Sequence, residues 1–313
     1  MEEKLDIITI GEGLIELSSN QELSLAPSFN KFYGGDALTT AIAAQKMGSK
    51  VGFISRVGCD YFKEFLMDSW QAEGIDISQV KLTEDSNGLY LLARLKNGKK
   101  EFSYYRKKTA AAKLSIEDLS EKYFENANYF YTSGTVQSLS LSTRETVKKA
   151  FKLAKEKTLT TAYDPNFSSL LVSQNEAKEF FEEINENIDI LFLNDKNDMI
   201  NIFDIDSIEK TIKACWDLGI NIIIVRSSKN NGYYTGYAGD IVFQPFIERE
   251  VVDLTGSGDA FNGGYLHALS SGFTPFSATK FAAIVAAVQI KELGAIKSLP
   301  NKKEVYEEYE KIK

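Results

Sequence analysis

Six short runs of β-branched and other apolar residues alternate with helical patterns along the chain, and this alternation constrains the fold more than any other feature. It is typical of consecutive βαβ units, whose strands pair in parallel. Several runs, such as Ile222-Ile-Ile-Val225, are apolar throughout, as expected for strands covered by helices on both faces. We therefore predict a three-layer α/β/α sandwich with a mostly parallel central sheet. The predicted strands are residues 6–10, 50–55, 128–132, 158–163, 188–193 and 221–225.

One region breaks the alternation. Residues 88–95 and 101–106 have strand patterns and are joined at Asn97-Gly98, a dipeptide that tolerates the positive φ angles of a type I′ turn. With an earlier segment they predict a small sheet that projects from the core, built from about residues 14–33 and 87–108. This sheet would act as a lid over a cleft or as the interface of a homodimer, and a solvated hairpin is the plain alternative. As a lid, it would present Tyr90, Tyr104 and Arg106.

Composition excludes several classes of function. The chain has 36 Lys plus Arg against 44 Asp plus Glu, a net charge of -8, so it lacks the basic face that nucleic-acid binding requires. No apolar stretch approaches the roughly 20 residues of a membrane helix. The two distant cysteines and an acidic N-terminus without a secretory signal predict a cytoplasmic protein. The single histidine, His267, is expected to pack or lie at the surface. No change of composition marks a linker, so we predict one domain over residues 1–313.

The segment Asp253-Leu-Thr-Gly-Ser-Gly-Asp-Ala-Phe261 carries the clearest chemistry. Its glycines allow a tight turn and a close approach to a ligand. If a helix begins near Gly258, its free N–H groups and positive dipole end would bind an anion, with Gly256, Ser257 and Gly258 around it. Such a corner suits a transferred phosphate, whose oxygens gain charge during phosphoryl transfer.

Asp259 stands beside this corner and could take the proton of an attacking hydroxyl as a general base. The alternative is an ordinary strand-to-helix turn, with Asp259 serving only as a helix-start carboxylate. A nicotinamide dehydrogenase is disfavoured because Gly11-Glu-Gly13 lacks the third glycine of the dinucleotide motif, where Glu16 stands instead. A P-loop kinase is excluded because the chain has no Gly-Lys-Ser/Thr sequence.

The same segment resembles the C-terminal signature of PfkB-type, or ribokinase-like, sugar kinases. The N-terminal signature is matched by Gly34-Gly-Asp-Ala-Leu-Thr-Thr-Ala41, and further matches are Asp164-Pro-Asn166, Asn194 and Gly294-Ala295. The matches occur in the family's order over nearly the whole chain. The resemblance implies a ribokinase-like fold and phosphorylation of a small sugar or sugar acid by ATP.

The resemblance also implies a role for each matched position. Asp259 would be the catalytic base, and Gly256 to Gly258 would bind the transferred phosphate. Magnesium would be held mostly by phosphates and water, so no metal ligands are expected in the chain, and activation by K+ is possible because it occurs in parts of the family. The nucleotide-binding residues would be Asn194, Arg226, Ser228, Gly232, Thr255, Gly256, Gly258 and Ala283. The substrate-binding residues would be Gly34, Gly35, Asp36, Thr39, Tyr90, Tyr104, Arg106, Asp164, Asn166 and Ser168.

Within the family the chain is most similar to the 2-keto-3-deoxygluconate kinases. This similarity rests on Gly34-Gly-Asp36, Gly88-Leu-Tyr90, Tyr104-Tyr-Arg106 and Thr109-Ala-Ala-Ala112. In that subgroup the tyrosines and the arginine contact the sugar acid, and a guanidinium can bind a carboxylate through two parallel hydrogen bonds. The alternative is that Arg106 is an ordinary exposed charge on the hairpin.

Five positions depart from the family pattern. Thr39 replaces an asparagine, Ser168 replaces an arginine that would bind the substrate carboxylate, and Asn197 replaces the glutamate of an Asn-x-x-Glu motif. Ser228 replaces a glycine and Ala283 an asparagine on the nucleotide side. Ser168 favours a fructokinase-like enzyme for a neutral sugar. The last three changes favour a non-catalytic relative that binds sugar or nucleotide as a sensor.

Overall fold

The structure is a computed structural model that describes residues 4–95 and 99–312. Asn97-Gly98, the predicted hairpin turn, lies outside the described residues. The thirteen strands are β1 Ile7–Ile10, β2 Leu14–Ser19, β3 Asn30–Gly34, β4 Val51–Gly58, β5 Val80–Thr83, β6 Gly88–Arg94, β7 Lys100–Tyr105, β8 Tyr129–Ser133, β9 Thr160–Asp164, β10 Ile190–Asn194, β11 Ile222–Ser227, β12 Gly232–Tyr237 and β13 Asp240–Pro245.

Ten α-helices lie within the described ranges. They are α1 Asp36–Met47, α2 Lys63–Ala72, α3 Glu121–Glu125, α4 Gly134–Gln137, α5 Leu141–Glu156, α6 Gln174–Glu182, α7 Ile208–Asp217, α8 Ser257–Ser270, α9 Pro275–Gln289 and α10 Lys302–Ile312. None of these helices combines the length and the apolar character that crossing a bilayer requires.

The central sheet has nine strands in the order β13-β12-β11-β10-β9-β8-β1-β4-β5. The seven strands from β11 to β5 pair in parallel, as in the register Ile190 to Ile222 between β10 and β11. Strands β12 and β13 add an antiparallel edge. All six predicted strands are present in the parallel part, so the prediction of stacked βαβ units is confirmed.

Two hydrophobic clusters cover the two faces of this sheet. One contains α1, α8 and α9, with residues such as Leu38, Phe261 and Phe281 fully buried. The other contains α5 and α7, with Phe151 and Ile212 fully buried. The predicted three-layer α/β/α sandwich is therefore confirmed.

A separate four-stranded sheet has the order β3-β2-β6-β7 and lies within the two segments predicted for it. Its outer pairs are antiparallel and its central pair, β2 and β6, is parallel. Leu14, Tyr90 and Leu92 form a small buried cluster of their own on this sheet. We refer to these four strands as the lid sheet.

His267 packs in the interior near the end of α8. This is one of the two roles that were expected for it. It is 3% exposed, and its Nδ1 and Nε2 atoms lie 2.8 Å from Ser49 Oγ and from Tyr306 Oη. Cys59 and Cys215 are both free, the first exposed and the second buried.

Candidate active site

The predicted anion-binding corner lies where the chain enters α8. The helix begins at Ser257, and its N-cap residue Gly256 has a φ of 79°, in the left-handed region that glycine adopts at least cost. The first N–H groups of α8 therefore point out of the helix start without intrahelical partners. Asp259 occupies the first turn and is partly exposed beside this corner.

Three carboxylates and one guanidinium surround the corner. Partial burial raises the pKa of Asp259 well above its usual value, and the charges of Asp36 and Asp164 raise it further, whereas Arg226 lowers it. Arg226 Nη2 donates to Asp164 Oδ2 at 2.8 Å, and Asp164 is 1% exposed. The guanidinium thus offsets part of the negative charge around Asp259.

Gly258 leaves the space that Arg226 occupies. A Cβ atom built on Gly258 would lie 2.4 Å from Arg226 Nη1, closer than real contacts allow. A side chain at this position would displace the Arg226 guanidinium, so the close approach of Arg226 favours glycine here, in addition to the tight turn expected from the sequence.

Most of the predicted substrate-binding residues line one cavity of about 190 Å³ between the lid sheet and the core. Asp259 and Gly256 line it too, so the cavity reaches the anion-binding corner. Arg106, the candidate for binding a carboxylate, is 8% exposed, so it is not an exposed hairpin charge. The predicted residues that line it are Gly34, Gly35, Asp36, Thr39, Tyr90, Tyr104, Arg106, Asn166 and Ser168.

Asp36 is held at the cavity wall by two neighbours. Thr135 Oγ1 donates to its Oδ2 atom at 2.6 Å, and Asn166 Nδ2 donates to the same atom at 3.1 Å. Asn166 has a φ of 45° and its backbone N–H donates to Asp164 Oδ1. Asp164, the remaining predicted substrate residue, lies behind the cavity lining and acts on Asn166 and Arg226.

The residues predicted to bind the nucleotide do not all line one cavity. Ser228 is exposed and donates to Asp195 Oδ1 at 3.1 Å, and both residues line a second cavity of about 1070 Å³. Ala283 is 1% exposed in the hydrophobic core, and Gly232 is buried against Phe243. Nucleotide contact by these two positions stays a prediction, and their burial leaves them little surface to offer a nucleotide.

Asp198, which is next to Asn197 in the sequence, has a structural role in this loop. Its Oδ2 atom accepts from the backbone N and from Nδ2 of Asn194 at 2.8 and 2.6 Å, and its Oδ1 atom accepts from Phe167 N at 2.9 Å. Burial raises the pKa of Asp198 to about 7. Asn197 is exposed, so Asp198 organises the loop in its place.

Two site residues were missed in the sequence. Asn262 is fully buried, and its Nδ2 atom donates to Asp164 Oδ2 at 2.7 Å. Its position three residues after Asp259 on α8 puts it on the same face, which was an available signal. Glu12 lines the cavity and forms an ion pair with Arg106. In the sequence, the segment around Glu12 indicates only an incomplete dinucleotide motif.

The lid sheet is tied to the anion-binding corner by charge. Arg94 donates to Asp253 Oδ2 and to Glu16 Oε1, both at 2.9 Å, and Tyr90 Oη donates to the other oxygen of Glu16 at 2.5 Å. Lys100 Nζ contacts Asp253 Oδ1 at 2.7 Å. These hydrogen bonds to cations hold the pKa of Asp253 at about 2, although burial opposes them.

Comparison with known proteins identifies the family. The sequence matches the pfkB family of carbohydrate kinases over residues 4–302. The chain therefore belongs to this family and is a phosphotransferase that acts on carbohydrates. This confirms the resemblance found in the sequence motifs.

Two relatives illustrate the similarity. The 5-dehydro-2-deoxygluconokinase of Clostridium perfringens is 26% identical over 99% of this chain and 94% of its own length. The 2-dehydro-3-deoxygluconokinase of Thermoproteus tenax is 26% identical over 98% of this chain and 96% of its own length.

Solved structures share the fold. The 2-dehydro-3-deoxygluconokinase of Thermotoga maritima superposes with a TM-score of 0.89 at 21% identity, covering 98% of this chain and 99% of that one. A putative ribokinase II from E. coli, in complex with ATP and Mg²⁺, superposes with a TM-score of 0.90 at 22% identity and the same coverage.

Proposed function

We propose that this kinase transfers the γ-phosphate of ATP to a primary hydroxyl of a keto-deoxy sugar acid, with 2-keto-3-deoxygluconate as the best candidate. One observation carries the proposal. Asp259 lies where the anion-binding corner meets a cavity that also contains Arg106. An acceptor hydroxyl at this junction would face a base on one side and the transferred phosphate on the other.

Each group at the junction has a distinct task. Asp259 takes the hydroxyl proton as the acceptor oxygen bonds to the γ-phosphorus and the bond between that phosphorus and the oxygen of ADP breaks. The N–H groups around Gly256, Ser257 and Gly258 bind the phosphate oxygens that gain charge, and they are already oriented because α8 fixes them. Asp36 and Asn166 hold sugar hydroxyls, while Arg106 supplies the cation for a carboxylate.

The nucleotide is proposed to lie near Asn194, Arg226, Ser228 and Thr255, leading to the corner at Gly256 and Gly258. Within 4–95 and 99–312, no group of three or more His, Cys, Asp or Glu side chains could hold a metal ion. Magnesium would be bound chiefly through ATP phosphates and water, as Mg²⁺ prefers. Magnesium would neutralise phosphate charge that the chain's few cations here leave uncompensated.

The substrate class is supported by the two curated relatives, whose names specify keto-deoxy sugar acids. A fructokinase-like reaction on a neutral sugar is the second candidate. It is favoured by Ser168, which brings no charge to the cavity, and by the ion pair that already engages Arg106.

The decisive experiment measures ADP formation with a panel of 2-keto-3-deoxygluconate, 5-keto-2-deoxygluconate, D-gluconate, D-fructose and D-ribose. The proposal predicts the highest kcat/KM with a keto-deoxy acid. A preference for fructose would support the neutral-sugar alternative. Ligand binding without ADP formation for any sugar would support a sensor and refute the proposed reaction.

Potassium, oligomeric state and location complete the proposal. K+ activation is tested by replacing KCl with tetramethylammonium chloride in the same assay.

We propose a homodimer through the lid sheet, because Phe102 and Tyr105 are 38% and 58% exposed on its edge strand β7. Light scattering of the wild type and of Tyr105→Glu tests this interface. The two free cysteines support a reducing, cytoplasmic location.

A further inference from the structure

Glu12 and Arg106 form a buried ion pair in the wall of the substrate cavity. Glu12 is 1% exposed and Arg106 is 8% exposed. Apart from this ion pair, neither carboxylate oxygen of Glu12 has a hydrogen-bond partner among the described residues, and neither does Arg106 Nε. The pair is therefore desolvated and incompletely satisfied, which is a costly arrangement for a merely structural contact.

The charges around Glu12 are unbalanced. Arg106 comes directly after β7, and Tyr104 within β7 also faces the Glu12 carboxylate. Asp36, at the start of α1, lies close enough to raise the pKa of Glu12, and Asp259 lines the same cavity from α8. Among the described residues lining this cavity, one cation therefore faces three carboxylates.

A sugar acid would add a fourth carboxylate to this cavity. Its natural partner is Arg106, whose charge Glu12 already engages. Two carboxylates that share one guanidinium in a low-dielectric site cannot both remain charged without a large electrostatic cost. A proton on Glu12 removes that cost and leaves the guanidinium free to bind the substrate.

We propose that Glu12 is a specificity-determining residue that takes up a proton from solvent when a carboxylate-bearing substrate binds to Arg106. A neutral sugar requires no such proton. This inference deepens the proposed function and rests on it for the choice of substrate. No covalent bond of the substrate changes in this step, because the proton passes only from water or buffer to a Glu12 oxygen.

The pH dependence follows from linkage. Burial raises the pKa of Glu12 to about 7, although the Arg106 charge lowers it, so the proton is available near neutral pH. Binding to the protonated form makes affinity for the sugar acid constant at low pH. Above pH about 7 the affinity falls, approaching a tenfold loss per pH unit. Affinity for a neutral sugar should show no such fall.

Titration calorimetry of the full chain in phosphate and Tris buffers tests the proposal, because the two buffers differ in ionisation enthalpy. At pH 7.5, binding of 2-keto-3-deoxygluconate should take up more than half a proton. Binding of D-fructose should take up none. In Glu12→Gln the sugar acid should bind without proton uptake and with little dependence on pH. Equal proton uptake in the wild type and in Glu12→Gln, or none in the wild type despite binding, would overturn the proposal.

A failure of the proposed substrate gives a different result. If the wild type binds only neutral sugars, Glu12→Gln should gain affinity for the sugar acid because its excluding charge is gone. Absence of sugar-acid binding in both proteins would overturn the role of Glu12. The wild-type pH series needs no variant, so the test stands even if Glu12→Gln folds poorly.

Asp118→Asn is the matched control. Asp118 is a carboxylate with 2% exposure that forms a 2.7 Å ion pair with Arg56, outside the cavity lining. Its substitution should lower the stability of the protein and leave the proton count of sugar-acid binding unchanged.

Discussion

Lys100 Nζ lies 2.7 Å from Asp253 Oδ1, although 153 residues separate the two in sequence. This contact joins the lid sheet to the segment that leads into the anion-binding corner. Lys100 also donates to Thr255 Oγ1 at 2.7 Å, while Arg94 binds the other oxygen of Asp253. The lid sheet and the segment that leads into α8 are thereby held in one arrangement by two cations around a buried carboxylate.

Removal of the two cations should have unequal effects. Arg94→Ala leaves Glu16 and Asp253, which are 0% and 2% exposed, without their shared partner, and should lower the free energy of unfolding by about 3–5 kcal/mol. The Lys100 side chain is 31% exposed, so Lys100→Ala should cost about 1 kcal/mol. Urea denaturation measures both values. Lys99→Ala, at a side chain that is 66% exposed, is the control; equal losses in all three variants would contradict this account.

Gly258→Ala should damage catalysis more than folding. The added Cβ would lie 2.4 Å from Arg226 Nη1 and displace the guanidinium from Asp164, which alters the charge around Asp259. We expect kcat to fall by roughly 10²-fold or more, because misplacement of an active-site group by about 1 Å has that effect. Gly272→Ala, just beyond the other end of α8, should cost only the backbone strain of its φ of 85°, about 1 kcal/mol. Comparable kcat values for Gly258→Ala and wild type would show that catalysis does not depend on glycine at position 258.

The single histidine gives a direct electrostatic test. Burial lowers the pKa of His267 to about 4, and the charge of Lys302 lowers it further. Because the unfolded chain binds the proton more readily, His267 should stabilise the protein fully above pH about 6.5, and this contribution should fade as pH decreases toward 4. NMR titration of the only imidazole in the chain measures the value. Titration near pH 6.5 would show that the ring is not buried as described.

The sequence was sufficient for features that depend on local pattern. Apolar runs such as Ile222-Ile-Ile-Val225 identify a parallel strand because burial on both faces needs no polar alternation. The helix start at Ser257 follows from glycine and capping rules. Tyr90 and Tyr104 face each other across β6 and β7, and Arg106 follows β7, so the predicted hairpin was sufficient to assign all three residues to one cleft.

Features that depend on three-dimensional burial were not available in the sequence. Ala283 matches a nucleotide position by alignment with the family motifs, yet the packing of α9 against α8 buries it. The sequence motif directs attention to Asn197, whereas the neighbouring Asp198 is the residue whose carboxylate accepts a hydrogen bond from Asn194. The ion pair between Glu12 and Arg106 joins residues 94 positions apart, and no local pattern announces it.

Asp259→Asn tests most directly whether Asp259 is the general base. The variant should lose about 10²- to 10⁴-fold in kcat while calorimetry shows that it still binds ATP and sugar. In the wild type, kcat/KM should rise with pH as the carboxyl group of Asp259 becomes ionised. The pKa of this group is raised by its burial and by the charges of Asp36 and Asp164. Asp217→Asn, on the exposed side of α7, should leave kcat unchanged. Turnover by Asp259→Asn within a few-fold of the wild type, with the same pH profile, would contradict the assignment.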